Sequence, residues 1–124
     1  MTLNIRSEKN LTGVHPDLVK VVRKAAETAQ FVVTEGLRTA ERQAQLVAAG
    51  ASQTTKSRHL TGHAVDLAAL VGNDIRWDWP LYAQLAKAMK QAAQQLKIPL
   101  EWGGDWKTFK DGPHFQLPWD KYPA

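Results

Sequence analysis

Ten residues, Ser57 to Asp66, read SRHLTGHAVD and carry three groups able to bind a metal: His59, His63 and Asp66. The chain has no cysteine, so a thiolate site and disulfides are both excluded. A metal site must then be built from the four histidines and the carboxylates. A catalytic zinc ion takes three such ligands and keeps a fourth position for water. A second cluster, Asp111-Gly-Pro-His114, lies about fifty residues on. A carboxylate that close to a metal-bound water can serve as general base in hydrolysis of a carbonyl compound.

The elements around the motif decide which groups can converge. On a helix, His59 and His63 would share a face. Thr61 and Gly62 break that pattern, and HAVDLAAL (63–70) has the content of a strand. Strand alternation sends His63 with Val65 to one face and Asp66 with Ala64 to the other. His59 lies before Gly62 in loop and can bend back beside Asp66, which favours His59 plus Asp66 and leaves His63 out. For the third ligand two histidines compete. His114 opens the strand-like HFQL after a tight turn, whereas His15 precedes Pro16 at a helix start, a surface position.

Helices are expected over 15–30, 39–50 and 80–96. In the first, Leu18, Val19, Val22 and Ala25 recur at helical spacing behind Pro16 and Asp17. Thr39 caps the second, which stops at Gly50. Pro80 opens the third, with Leu81, Leu85, Met89 and Ala92 on one face. FVVTEG (31–36) is a strand, 51–61 a polar loop, and VGNDIRWDW a turn followed by an aromatic edge. IPLEWGGDW and GPHFQLPW are extended segments around a glycine-rich loop. The order is helix, strand, helix, strand, helix, strand, strand. It implies a small single-domain α+β protein with helices packed on a largely antiparallel sheet.

The 124 residues suffice for one domain, here taken as residues 1–124 without a separate wall-binding domain. Net charge is +4, which suits solubility or an anionic polymer as partner. The basic residues are scattered and not interleaved with aromatics, which disfavours nucleic acid. The N-terminus lacks the apolar stretch of a signal peptide, and no apolar run is long enough to span a membrane.

Taken together, these motifs resemble the zinc-dependent peptidoglycan peptidases of the D-Ala-D-Ala carboxypeptidase and VanY-like group. Within it they are most similar to the phage endolysins that act as L-alanyl-D-glutamate peptidases. The group's S-x-H-x-x-G-x-A-x-D motif stands as Ser57, His59, Gly62, Ala64 and Asp66, and its D-x-x-H motif as Asp111 and His114. The endolysin branch adds W-G-G-D-W…F-x-D-x-x-H-F, here Trp102 to Trp106, then Phe109, Asp111, His114 and Phe115. An upstream L-R-T-x-x-x-Q is matched by Leu37, Arg38, Thr39 and Gln43. The matches run from about Val14 to Pro118 in the family's order.

The resemblance implies the hedgehog/D,D-peptidase-like fold and one zinc ion on His59, Asp66 and His114, with Asp111 as catalytic base. Relatives that cut D-Ala-D-Ala usually carry glutamate at that position, so aspartate favours the endolysin branch. Arg38 aligns with an arginine that contacts substrate and steadies the oxyanion, and Ser57 with a residue near substrate or metal. Of Trp102 and Trp106, at least one is expected in the core and the other along the substrate groove. The implied substrate is the peptidoglycan stem peptide, cut between L-Ala and D-Glu by a monomer. It would be made in the host cytoplasm and released to the wall through a holin pore, without stable membrane association. The rival readings are a D-alanyl-D-alanine carboxypeptidase or dipeptidase on the same fold and a non-catalytic zinc- or wall-binding module.

Overall fold

The computed structural model describes residues 3–50, 57–72, 74–106 and 110–122. Among them, five strands form one antiparallel sheet. These are β1 (Phe31–Glu35), β2 (Ala64–Val71), β3 (Asp74–Arg76), β4 (Glu101–Trp102) and β5 (His114–Gln116). The order is β1-β2-β5-β4, with β3 also paired to β2. Ala69 pairs both Phe31 and Arg76, and Asp66 pairs both Glu35 and His114. β3 and β5 therefore share the edge of β2 opposite β1.

Helices α1 (Ile5–Asn10), α2 (Pro16–Ala25), α3 (Ala40–Ala48) and α4 (Trp79–Leu96) complete the described elements, with short 3₁₀ turns at Arg58–Thr61 and Gly103–Asp105. Alternation along β2 divides its side chains. Val65, Leu67 and Ala69 join Val33, Phe115 and Leu117 in the core, against Leu18, Val21 and Val22 of α2 and Leu85, Met89 and Ala93 of α4. Burying one such aliphatic or aromatic side chain contributes about 1.5–3 kcal/mol, so this face anchors the sheet. The opposite phase of β2 and β5 is left to Asp66, His114 and Gln116.

The first long helix ends at Ala25, five residues before the expected Gln30, because residues 26–28 turn to lead into β1. The polar sequence of α1 gave no helical stripe to read. Its task lies at the free edge of β1. Ser7 Oγ accepts from Val33 N at 2.9 Å, and Asn10 Nδ2 donates to Val33 O at 2.8 Å. Both backbone groups that β1 would otherwise present to solvent at Val33 are thus satisfied. Of the expected loop 51–61, residues 57–61 form the capped turn at Arg58–Thr61, while 51–56 lie outside the described residues.

Candidate metal centre

Asp66 sits in the middle of a row across the sheet, with Glu35 beside it on β1 and His114 on β5. The register shifts between Val33 and Glu35, a bulge that re-aims the end of β1. His59 reaches the row from the 3₁₀ turn. Ser57 Oγ caps that turn by accepting from His59 N at 3.2 Å. Gly62 closes it at φ +77°, and a Cβ there would lie 2.3 Å from Gly13 O, so only glycine fits.

The three ligand atoms all lie within 4.8 Å of one another. Nε2 of His59 is 3.2 Å and Nδ1 of His114 is 3.3 Å from the same oxygen, Oδ1 of Asp66. The other nitrogen of each ring is occupied. His59 Nδ1 donates to Gly36 O at 2.8 Å, and His114 Nε2 donates to Gln116 Oε1 at 2.8 Å. Gln116 Nε2 in turn donates to Glu101 Oε2 at 3.0 Å. These bonds fix which nitrogen of each histidine presents its lone pair inward, as in histidines that bind metals. Two imidazoles and a carboxylate, so oriented, fit one divalent ion of the zinc type. Side-chain exposure is 20% for Asp66 against 2% for His59 and 6% for His114, so the cluster opens to solvent on the Asp66 side.

Burial alone would raise the Asp66 carboxyl, but hydrogen bonds from His114 and His59 and their charges outweigh it and hold it well below the usual carboxylate range. Burial likewise opposes charge on His114. The bond to Asp66, its negative charge and the bond to Gln116 reverse this and raise the imidazole. For Asp111 burial dominates and the Asp66 charge adds to it, so its carboxyl is raised despite His114, His59 and Arg38.

Asp111 is held by the turn that leads into β5. Its N–H bonds Gly103 O at 3.1 Å, and its carbonyl accepts from His114 N at 3.2 Å. A Cβ on Gly103 would lie 2.4 Å from Asp111 O, so this close approach requires glycine. Trp102 packs on the core, and its indole N–H donates to Gly112 O at 2.7 Å. It clamps the Asp111 turn from behind. The Trp106 ring lies 5.1 Å from that of His114, beside the cluster. Phe109 lies outside the described residues.

Arg38 is almost fully buried. Its Nε bonds Glu35, its Nη1 donates to Gln43 Oε1 at 2.6 Å, and its Nη2 is 3.7 Å from Asp66 Oδ2. It thereby bridges two carboxylates that face each other across β1 and β2 and would otherwise repel. Ser57 spends its hydroxyl on the cap described above. His63 and His15 are not part of the cluster. Their rings lie 5.2 Å apart, Thr61 Oγ1 is 2.6 Å from His63 Nδ1, and His15 caps α2 by accepting from Asp17 N. Gln116, Glu101 and the Gly36 carbonyl were not foreseen. For Gln116 a signal existed, since it is two residues from His114 in one strand and must share its face.

Fold and site together define a small α+β domain carrying a His-Asp-His group that can hold one metal ion, with a second carboxylate, Asp111, in the adjoining turn. The chain matches the phage L-alanyl-D-glutamate peptidase family over residues 1–117, and it belongs to that family. It is 39% identical over 111 residues to the L-alanyl-D-glutamate peptidase of Escherichia phage T5, covering 85% of this chain and 81% of that protein. It is 40% identical over 93 residues to the L-alanyl-D-glutamate peptidase of Listeria phage A118, covering 75% of this chain and 32% of that longer protein. Among solved structures, the L-Ala D-Glu endopeptidase ChiX of Serratia marcescens superposes with a TM-score of 0.94 at 54% identity. That match covers 100% of this chain and 95% of ChiX.

Proposed function

We propose that this protein is a zinc-dependent endolysin that hydrolyses the L-alanyl-D-glutamate bond of peptidoglycan stem peptides. The observation that carries the reading is the inward-facing His59-Asp66-His114 group, with the raised carboxyl of Asp111 in the turn that delivers His114. His59 Nε2, a carboxylate oxygen of Asp66 and His114 Nδ1 would hold the ion. When bound, zinc supplies a Lewis acid that polarises the scissile carbonyl and acidifies the attacking water.

The chain's own groups do the rest. Asp111, kept partly desolvated by its turn, accepts the proton of the water that attacks the L-Ala carbonyl. It then returns that proton to the departing D-Glu nitrogen. Arg38, fixed on two sides by Glu35 and Gln43, presents its remaining N–H groups beside Asp66, where they can stabilise negative charge on substrate. Trp106 flanks His114 and shields that side from water.

Among the described residues no helix is long and apolar enough to cross a membrane. Action at the wall after release through a holin, as a monomer, is the setting we infer. The test is a digest of purified peptidoglycan read by mass spectrometry. New L-Ala carboxyl and D-Glu amino ends are expected. Release of free D-Ala with the L-Ala–D-Glu bond intact would overturn the assignment.

A further inference from the structure

Two indoles stand in solvent next to the Asp111 turn. Trp77 is 54% and Trp79 50% exposed, a large apolar area for so small a protein to leave in water. Neither is loose. Trp79 meets Tyr82 edge-on at 5.7 Å, Trp77 meets it at 6.5 Å, and Trp79 lies 6.5 Å from Trp102. Tyr82 is itself buried and packed against Gly112, where an added Cβ would lie 2.5 Å from its ring. The indoles thus pack, through Tyr82, on the residue that follows Asp111.

The sheet explains their position. Arg76 pairs Ala69 and His114 pairs Asp66 on the same edge of β2, three residues apart, or about 10 Å along the strand. The chain leaves β3 at Arg76 and passes directly into Trp77 and Trp79. The charges around the indoles neutralise one another: Arg76 with Asp78 at 2.7 Å and Lys90 with Asp105 at 2.7 Å. Among the described residues these charges are already compensated, which favours a neutral ring with an apolar face and polar rim over an ionic ligand.

The chemistry of the substrate supplies such a ring. L-Ala is the first residue of the stem, and its nitrogen is joined through a lactyl group to a sugar of the glycan strand. One residue spans about 3.8 Å, so with the lactyl group the sugar must lie within roughly 10 Å of the scissile carbonyl. We propose that Trp77 and Trp79 form a stacking platform for a pyranose ring of the glycan strand that bears the scissile stem. This rests on the peptidase reading above and extends it from the peptide to the sugar. The platform would orient the stem and favour substrate still attached to glycan.

The test compares the zinc-loaded protein with its Trp77→Ala, Trp79→Ala and Trp79→Phe variants on two substrates. One is a disaccharide-bearing stem peptide and the other the same stem capped only by lactate. The ratio of their kcat/KM values should fall about tenfold in Trp79→Ala, through KM, with partial recovery in Trp79→Phe. Binding of peptide-free glycan strands, followed by tryptophan fluorescence, should weaken in parallel. An unchanged ratio, or equal loss on both substrates, would overturn the platform while leaving the peptidase reading intact. Glycan binding without cleavage of either stem by the unmodified protein would overturn the peptidase reading instead. Concentration-dependent dimerisation that Trp79→Ala abolishes would assign the patch to self-association and also overturn the proposal.

Discussion

His114 and Gln116 point the same way from β5, and the Gln116 amide oxygen accepts from Nε2 of His114 at 2.8 Å. The bond orients the ring so that Nδ1, not Nε2, faces Asp66 and His59. Glu101 steadies the amide from β4, so the chain carboxylate–amide–imidazole crosses two strands. Gln116→Leu removes the acceptor and frees the ring to rotate. Zinc affinity should fall by about 10–100-fold, with Glu101→Gln milder, in a competition titration against a chromophoric chelator.

The proposed ligand set separates the histidines. His59→Ala and His114→Ala each remove an inward-facing nitrogen and should lose bound zinc on dialysis. His63→Ala should keep one ion per chain, because His63 is engaged with Thr61 and His15 and is not part of the His59-Asp66-His114 group. Elemental analysis of the dialysed proteins decides it, and zinc retained by His114→Ala with loss from His63→Ala would reverse the assignment.

Arg58 is a large side chain fully inside the protein, next in sequence to His59. Its Nε donates to Leu117 O at 3.2 Å, its Nη2 donates to Tyr122 O, and its guanidinium lies 4.1 Å from the Trp119 ring centroid. It ties the segment after β5 to the turn that carries His59. Arg58→Ala leaves two carbonyls without this donor and a cavity between them. A loss of about 3 kcal/mol is expected in urea unfolding, with increased protease sensitivity after Pro118.

Much of this was legible before the fold. Alternation along 63–70 separated Asp66 from His63 because a strand has a strict period of two, and the pairing Asp66↔His114 brings His114 to the same face. The helices at 40–48 and 79–96 were marked by Thr39 and Pro80. What stayed hidden depends on contacts between distant segments. Nothing local in IRSEKN announces a helix that caps the edge of β1 at Val33. Gln116 and Glu101 acquire roles only through the pairing of β4 with β5. Trp102 and Trp106 are alike in sequence, and only the turn between them decides that one backs Gly112 while the other flanks His114.

Asp111 joins activity to stability with opposite signs. Its folded carboxyl is raised, first by burial and then by the charge of Asp66, so in the metal-free protein the unfolded chain gives up this proton more readily than the folded one. The stability it contributes is present below the ordinary carboxylate pKa and is lost as pH rises through the higher folded value. At neutral pH the metal-free fold therefore bears an ionised group it holds at a cost, which Asp111→Asn removes. The melting temperature of the metal-free variant should rise at pH 7, and this gain should vanish toward pH 3. On the proposed mechanism the same substitution deletes the proton acceptor, so hydrolysis should fall by about 10²–10⁴-fold while zinc content holds. If Asp111 is the base, as proposed, it must be ionised in the unmodified enzyme, so the rate should decline as pH falls through its raised value. His114 adds to that decline, because its raised affinity for protons competes with metal. Rate, zinc content and melting temperature measured on one pH series separate these effects, and undiminished hydrolysis by Asp111→Asn would remove Asp111 from the mechanism.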